Sequence, residues 1–201
     1  MKLIIISGPS GSGKTTLSKL ILKKLKGGII LNTDNYYRTG LISIILSKLV
    51  TSYFDKKISF NFKLLKEDLD FILKNGFFNF TYEYNFKKKS IKKTKKKTNN
   101  IRFIIIEGIF GKEILRSFSS KTCILIKLKS KKTICMKRVI KRDFRERGKS
   151  KISAQRDFKK AWKLFYKNKK KNNTNKYLKK IILRNNNDFK NLLKKITTLV
   201  N

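Results

Sequence analysis

Histidine is absent from this sequence, proline occurs once, and only two cysteines are found among its 201 residues. Without histidine, no imidazole can act as a general base, bind a metal ion or contact a substrate. Cys123 and Cys135 both fall in segments with the pattern of regular secondary structure. We interpret them as core thiols and not as a disulfide or a metal-binding pair. Apolar runs are also short, and none approaches the roughly 18 residues of a membrane span.

Acidic residues are scarce: 12 aspartates and glutamates stand against 52 lysines and arginines, which gives a formal net charge of +40. Such a charge could indicate a nucleic-acid partner. An AT-rich genome also produces it, because lysine, asparagine, isoleucine and phenylalanine, whose codons contain little G or C, are enriched together. The aromatic residues lie mostly in apolar runs and not among the basic clusters, where stacking on bases would require them. We therefore expect no specific nucleic-acid partner, only incidental, salt-sensitive binding to RNA.

What the sequence does contain is a complete phosphate-binding loop at residues 8–15, which read GPSGSGKT and match G-x-x-x-x-G-K-[ST]. The apolar segment 2–7 before the loop is predicted to be a buried strand. Apolar residues recur at helical spacing in the segment 16–25 after it. This context favours a working loop over a glycine-rich turn without a ligand, because backbone N–H groups and a helix N-terminus then surround one anion. We expect the loop to bind a nucleoside triphosphate.

The residues of this loop have distinct predicted roles. Lys14 is expected to reach the β- and γ-phosphates, and the Thr15 hydroxyl is expected to bind Mg²⁺. The loop is expected to be solvated, so that Lys14 lies outside the core. Nucleotide contacts are assigned to Gly8, Ser10, Gly11, Ser12, Gly13, Lys14, Thr15 and Thr16.

Strands and helices alternate along the chain, which predicts a parallel sheet covered by helices on both faces. We expect one domain over residues 1–201, a three-layer α/β/α fold of the P-loop NTPase type with a small lid. Segment 77–86 is predicted to be a strand or hairpin, and the lysine-rich segment 87–100 a solvated loop. Ser130 is expected to cap a helix that reaches about Phe144. The other predicted strands are 29–33, 102–107, 123–128 and 181–184; the other predicted helices are 41–50, 60–74, 153–168 and 188–200, with a polar loop at 169–180.

Two carboxylates follow predicted strands at the sheet edge where the phosphate loop lies. Asp34 follows the second strand, and Glu107 ends the strand 102–107. The carboxyl ends of parallel strands face one crevice. Asp34 could therefore accept the proton of a hydroxyl that attacks the γ-phosphate, and Glu107 could hold Mg²⁺ or its waters. A turn-forming role for Asp34 and a capping or turn role for Glu107 are the alternatives.

A cluster of basic residues occupies positions 137–149, where only two acids interrupt the cations. Viewed alone, such a segment is more often an exposed helix face than a site. In an enzyme of phosphoryl transfer it can instead close over the triphosphate, where it shields negative charge and excludes water. We assign a lid to residues 141–151.

In order along the chain, several short motifs resemble those of uridine kinases, the P-loop kinases that phosphorylate the 5′-hydroxyl of uridine and cytidine. The motifs are GPSGSGKTT, NTDNYYR, FD followed by F at Phe60, YNF, IIIEGIF and RDFRERG. The resemblance covers nearly the whole chain. It implies that Asp34 is the general base, that Tyr37 contacts the base or ribose, and that Asp55 holds the ribose hydroxyls. The other residues it implies are Tyr84 and Phe86 in the base pocket, Arg138, Arg142 and Arg147 as lid cations, and Gln155 as a weaker match.

The acceptor half departs from the uridine kinase pattern more than the nucleotide half does. In YNF an asparagine, Asn85, stands where the family has an aspartate, and Lys89 stands where it has a histidine. Further departures are Ile91 for an arginine, Lys57 and Ile58 for a proline and an aspartate, and Val139 for one lid arginine.

The resemblance implies a cytoplasmic nucleoside kinase that uses ATP or GTP with Mg²⁺. Only a few apolar residues precede the phosphate loop, so we expect no signal peptide and no membrane partner. Self-association is left open. Alternative acceptors are ribulose 5-phosphate, pantothenate and nicotinamide riboside. A second alternative is a non-catalytic nucleotide-binding protein that holds RNA on its basic surface. The presence of Lys14, Thr15, Asp34 and Glu107 together argues against it.

Overall fold

A five-stranded parallel sheet in the order β2-β5-β1-β6-β7 forms the centre of the computed structural model, which describes residues 1–50, 52–111, 123–169 and 179–200. An antiparallel pair, β3 with β4, lies apart from it. The strands are β1 Lys2–Ser7, β2 Gly28–Asn32, β3 Phe78–Asn85, β4 Ser90–Thr98, β5 Phe103–Glu107, β6 Cys123–Leu128 and β7 Lys179–Leu183. The helices are α1 Lys14–Leu25, α2 Leu41–Leu49, α3 Phe62–Asn75, α4 Lys132–Arg147, α5 Lys151–Lys169 and α6 Asn186–Val200.

The central strand β1 is buried on both faces, which explains its continuous apolar sequence. Successive side chains of a strand point to opposite faces of the sheet. Leu3 and Ile5 accordingly join a core cluster with α3, whereas Ile4 and Ile6 join a second cluster with α1 and α6. The predicted three-layer α/β/α fold with a parallel sheet is confirmed.

Helices α4 and α5 pack on each other through Cys135, Val139 and Phe158. The first half of α4 also lies directly against the phosphate loop. A Cβ atom on Gly11 would come within 2.6 Å of the Cys135 carbonyl oxygen, and Gly11 has a φ of +79°. Both the close approach and the backbone conformation therefore require glycine at this position. Cys123 in β6 and Cys135 in α4 are both buried, as predicted for core thiols.

The prediction of a solvated loop over residues 87–100 is wrong, because Ser90–Thr98 form β4 and pair with β3. The lysine side chains of β4 are exposed, as a run of charge requires. Their backbone is nevertheless hydrogen-bonded to β3, which is held to the core through the buried Tyr84. Lys93 Nζ also lies 3.8 Å from the centroid of the Phe80 ring. The charge of these side chains explains their exposure, and pairing with the preceding aromatic strand explains their extended backbone.

Ser130 does not cap α4, contrary to the prediction. The N-cap position belongs to Lys131, without a side-chain hydrogen bond. The hydroxyl of Ser130 instead donates to the Ser12 carbonyl oxygen at 3.4 Å. Ser130 thus joins the segment before α4 to the phosphate loop.

The segment 141–151, predicted to form a lid, is largely helical. Helix α4 continues to Arg147 and not only to about Phe144. It ends at Gly148, which has a φ of +65° and donates its N–H to the Asp143 carbonyl oxygen. Such a left-handed glycine is a common helix terminator. Helix α5 follows after a short turn, so the residues predicted to form a lid lie on two consecutive helices that pack together.

Most of the predicted polar loop 169–180 lies outside the described residues, and its last two positions begin β7. Within the described parts of the chain, no helix has the length and apolarity needed to cross a membrane.

Candidate active site

The carboxyl ends of β1, β2 and β5 open onto a cavity of about 1350 Å³. The phosphate loop follows β1, Asp34 lies two residues beyond β2, and Glu107 is the last residue of β5. Residues of all three segments line the cavity. Ligands of parallel α/β proteins bind outside the carboxyl ends of the strands, which makes this cavity the candidate active site.

The phosphate loop presents polar groups that suit an anion. Gly13, with a φ of +92°, is the N-cap of α1, and no side chain caps this helix or places an acid in its first turn. The hydroxyl oxygen of Ser12 is buried and has no hydrogen-bond partner among the described residues. An uncapped helix N-terminus beside an unsatisfied hydroxyl fits the phosphates of a nucleoside triphosphate.

The prediction that Lys14 lies on a solvated loop is wrong. Lys14 is the first residue of α1 and is half-buried. Its Nζ donates to the Pro9 carbonyl oxygen at 3.1 Å. Burial lowers the pKa of Lys14, and the nearby carboxylates of Glu107 and Asp34 only partly oppose this effect. The negative charge of these carboxylates therefore does not fully compensate the burial of the ammonium group, and a bound phosphate would supply more.

The Thr15 hydroxyl donates a hydrogen bond to Glu107 Oε1 at 2.8 Å. Glu107 is buried, and this burial raises its pKa, while Lys14 and the hydrogen bond from Thr15 act in the opposite direction. A hydroxyl and a carboxylate beside a phosphate site are ligands that suit Mg²⁺. No group of three or more potential His, Cys, Asp and Glu ligands occurs among the described residues, so phosphate oxygens and water would have to supply the remaining ligands.

Asp34 lies in a single 3₁₀ turn directly after β2, with its side chain 35% exposed toward the cavity. The side chain that stabilises this turn is that of Asn32, whose Oδ1 accepts the Asp34 N–H at 2.8 Å. The carboxylate of Asp34 is thus not needed to form the turn. Turn formation was the alternative to a catalytic role for this residue. It is close enough to Lys14 and Asp55 to affect the pKa of both.

Aromatic side chains form one wall of the cavity. Phe54 and Phe86 line it, and their ring centroids are 5.4 Å apart in an edge-to-face arrangement. Tyr37 also lines the cavity but is only 3% exposed, and its hydroxyl donates to the Phe54 carbonyl oxygen at 2.9 Å. Asp55, next to Phe54 in sequence, places a carboxylate at the edge of this wall.

Two residues assigned to the acceptor site by resemblance do not line the cavity. Tyr84 packs behind Phe86, with ring centroids 5.0 Å apart, and its hydroxyl donates to the Arg38 carbonyl oxygen at 3.4 Å. Its position supports the aromatic wall from the protein side. Gln155 lies on α5, where its neighbour Arg156 and the next residue, Asp157, line the cavity instead.

Asp55 has an unusual electrostatic environment. Burial raises its pKa to about 6, and the nearby carboxylate of Asp34 contributes in the same direction. Arg147 and Lys149 partly offset the increase. Two carboxylates in one cavity with basic residues around them can accept hydrogen bonds from hydroxyl groups or take up a proton.

Two basic side chains of α4 face the phosphate loop. Arg138 Nη1 donates to the Gly11 carbonyl oxygen at 3.3 Å. Arg142 Nη2 lies 3.4 Å from the Ser10 hydroxyl. Both arginines line the cavity, in positions from which they could reach phosphate oxygens.

Arg147 faces the other half of the cavity. Its Nη2 lies 3.9 Å from Asp34 Oδ2, and its guanidinium carbon lies 3.7 Å from the centroid of the Phe86 ring. A guanidinium stacked on an aromatic ring keeps its edge free for hydrogen bonds. Arg147 therefore connects the aromatic wall with the carboxylate that follows β2.

Sequence reasoning missed two groups of contacts at this site. Asp143 is 4% exposed and contacts Arg142 and Arg147, and Lys149 Nζ lies 2.8 Å from Asp157 Oδ2. The spacing of four residues between Asp143 and Arg147 was a usable signal for the first group, but the helix was predicted to end near Phe144. Helical spacing gave no signal for the second, because Lys149 lies in the turn before α5 and Asp157 lies on that helix.

Comparisons with known proteins agree with this geometry. The sequence model of the phosphoribulokinase / uridine kinase family matches residues 3–168, which contain the phosphate loop, Asp34, Glu107 and α4. The chain belongs to this family. Uridine kinases of Staphylococcus aureus strains JH9 and Newman are each 34% identical to this kinase over 154 residues, which make up 74% of its chain and 71% of theirs. It is a P-loop kinase, and its family membership implies the use of ATP.

Solved structures support the fold of this kinase. A candidate fructose transport system kinase from Silicibacter sp. TM1040 has a TM-score of 0.59 at 16% identity, covering 81% of this kinase and 84% of that chain. The YGR205w protein has a TM-score of 0.58 at 16% identity, and the match covers 83% of this kinase and 77% of that chain. At this identity the likeness concerns the fold alone.

Proposed function

We propose that this kinase transfers the γ-phosphate of ATP or GTP, with Mg²⁺, to the 5′-hydroxyl of uridine or cytidine, as part of pyrimidine salvage in the cytoplasm. The observation that carries the proposal is the position of Asp34. It faces one cavity together with the phosphate loop on one side and the aromatic wall with Asp55 on the other. The uridine kinase relatives at 34% identity support the same acceptor.

The nucleotide half of the proposal depends on groups that suit phosphate and Mg²⁺. The triphosphate would be held by the loop N–H groups, by Ser12 and by Lys14, and Mg²⁺ by Thr15 and Glu107. Bound there, the nucleotide and its Mg²⁺ supply the phosphoryl group and neutralise part of its charge. Arg138 lies on the rim of this site.

The acceptor half depends on an apolar wall and a carboxylate. A pyrimidine ring fits against Phe54 and Phe86, because flat aromatic surfaces pack well on one another. The ionised carboxylate of Asp55 has only acceptor atoms, which suits the two ribose hydroxyls. The nucleoside would then direct its 5′-hydroxyl toward Asp34.

Asp34 is the proposed general base. It accepts the proton of the 5′-hydroxyl as that oxygen attacks the γ-phosphate, and this contribution is typically about 10²–10⁴-fold in rate. Arg142 and Arg147 would reduce the repulsion between the negative groups that meet there. Phosphoryl transfer requires mainly positioning and charge stabilisation, which these side chains can provide.

A phosphorylated acceptor is the second candidate, because Lys89 and Lys149 also line the acceptor side of the cavity. These cations would attract a group such as the phosphate of ribulose 5-phosphate. Asp34 and Asp55 would repel the same group, and Lys149 is already paired with Asp157. We therefore favour an uncharged nucleoside, with weaker discrimination among bases than is usual for uridine kinases because lysine replaces the family's histidine at position 89.

A panel of acceptors tests the proposal. With ATP and Mg²⁺, we expect the highest kcat/KM for uridine or cytidine among those two, adenosine, ribulose 5-phosphate, pantothenate and nicotinamide riboside. Asp55→Asn should lower kcat/KM for uridine more than for 2′,3′-dideoxyuridine, which lacks the hydroxyls that Asp55 would hold. Preference for ribulose 5-phosphate would refute the nucleoside assignment. RNA binding in moderate salt without turnover of any acceptor would support the non-catalytic alternative.

A further inference from the structure

A single carboxylate oxygen contacts both arginines that flank the reaction site. Asp143 Oδ1 accepts hydrogen bonds from Arg142 Nε at 2.9 Å and Nη2 at 2.7 Å, and it lies 3.5 Å from Arg147 Nε. Asp143 is 4% exposed, so these contacts are largely shielded from solvent. A shielded pair of this kind fixes side-chain orientation more firmly than a surface ion pair does.

The two arginines point to opposite halves of the cavity. Arg142 Nη2 is 3.4 Å from the hydroxyl of Ser10 in the phosphate loop. Arg147 Nη2 is 3.9 Å from Asp34 Oδ2, and its guanidinium group stacks on Phe86. Asp143 therefore stands between a cation directed at the nucleotide and a cation directed at the acceptor.

Arg142 and Arg147 share the cavity with other cations, and an anion between them helps to hold both in place. Arg138 and Lys14 line the same cavity, and like charges would drive flexible side chains apart toward solvent. Each arginine also loses rotamer freedom when it is held in one orientation. The Asp143 carboxylate offsets both effects, because it attracts the two guanidinium groups and limits their rotamers.

We propose that Asp143 is a positioning residue, which holds Arg142 toward the phosphate loop and Arg147 toward Asp34 so that both reach the phosphoryl group during transfer. The inference depends on the kinase activity of the family and not on the identity of the acceptor.

A purely structural role is separable from this one. The end of α4 is stabilised by the backbone carbonyl of Asp143, which accepts the N–H groups of Gly148 and Lys149. Those bonds persist whatever side chain occupies position 143. A substitution that changes only the carboxylate therefore tests the arginine contacts and leaves the helix terminus in place.

The principal test is Asp143→Asn, which keeps the shape of the side chain and removes its charge. The acceptor in the assay is the one that the unmodified chain uses best, so an error in the proposed acceptor would not affect the result. We expect kcat to fall about 10-fold or more, because charge stabilisation at the transferring group is lost, while KM for the acceptor changes less than about threefold. A change in KM alone, with kcat intact, would overturn the proposal.

Binding provides a readout that does not depend on turnover. Calorimetry should show a Kd for ADP within about twofold of the unmodified chain, since the phosphate loop is intact. The ratio of the ADP Kd to the ATP Kd, which we call the ATP/ADP ratio, should decrease, since the arginines no longer reach the γ-phosphate. In an Arg142→Ala, Arg147→Ala background, Asp143→Asn should not reduce the ATP/ADP ratio further, because residues that act through one another are not additive.

Controls separate this role from a loss of folding. Urea unfolding gives the folded fraction by which each kcat is normalised, and Asp143→Ala provides a second variant that introduces no amide. Asp70→Asn removes an exposed carboxylate of α3 and should change neither kcat nor the ATP/ADP ratio. An unchanged ATP/ADP ratio in folded Asp143→Asn, or an equal further loss in the double-alanine background, would refute the positioning role.

Discussion

The Thr15 hydroxyl and the Glu107 carboxylate are joined by a hydrogen bond of 2.8 Å, although 92 residues separate them in the sequence. The contact connects the first turn of α1 with the end of β5, and so holds the phosphate loop against the neighbouring strand. In the proposed function both oxygens would bind Mg²⁺ beside the triphosphate. This pair shows how the sheet brings residues from distant segments together at the proposed nucleotide site.

Lys14→Ala should reduce kcat/KM at least about 10³-fold, because the β- and γ-phosphates lose their cation. The free energy of unfolding should change little or increase, since burial already disfavours this charge and lowers its pKa. Steady-state kinetics and urea unfolding measure the two effects. Lys23→Ala, at an exposed position of α1, is the control. Retained phosphoryl transfer in Lys14→Ala would refute the role of the loop.

Asp34→Asn should lower kcat by about 10²–10⁴-fold, because the amide cannot take the proton of the acceptor hydroxyl. The turn after β2 should persist, since Asn32 stabilises it. The Kd for ATP, measured by calorimetry, should therefore stay nearly constant. A kcat close to that of the unmodified chain would leave Asp34 without a catalytic role.

Asp55 should give the reaction a pH dependence in the acidic range. Burial and Asp34 raise its pKa to about 6, and its ionised form accepts hydrogen bonds from both ribose hydroxyls more strongly than the neutral form does. We expect kcat/KM for uridine to fall as the pH falls below about 6. In Asp55→Asn this part of the profile should be absent and the plateau lower. An identical acidic limb in both proteins would assign the titration to another group.

The same shift has a defined effect on stability. The pKa of Asp55 is higher in the folded chain, at about 6, than its ordinary value of 3.8, so the folded state binds the proton more tightly. Its favourable contribution is complete below pH 3.8 and is lost as the pH rises through about 6. Asp55→Asn should thus become more stable than the unmodified chain as the pH rises across this range. Urea unfolding of both proteins at several pH values measures this difference in stability. A difference that shrinks as the pH rises would contradict the prediction.

Gly11→Ala should weaken ATP binding, because the new Cβ would come 2.6 Å from the Cys135 carbonyl oxygen and force the loop and α4 apart. Gly76→Ala is a matched control: its φ is +70°, similar to the +79° of Gly11, but nothing lies within 4 Å of the added atom. The control should lose about 1 kcal/mol of stability from backbone strain and keep its activity. Equal effects on ATP affinity in the two variants would contradict the importance of this close contact.

Local sequence determined most of the fold and the nucleotide half of the site. Continuous apolar runs specify buried parallel strands, and a glycine-rich loop between such a strand and a helix specifies a phosphate site. Since the carboxyl ends of parallel strands share one edge, the positions of Asp34 and Glu107 at strand ends already indicated that they meet. These features were predictable because each depends on neighbouring residues or on a general rule of sheet topology.

Only the tertiary structure decided the features that depend on contacts between separate elements. Pairing with the preceding strand β3 made a strand of the lysine-rich residues Ser90–Thr98, which charge alone indicated as a loop. Packing placed Tyr84 behind Phe86. It also buried Asp143 where one oxygen contacts two arginines. The physical reason is that charge and apolarity set the exposure of a side chain, whereas its partners are fixed only when separate elements come together.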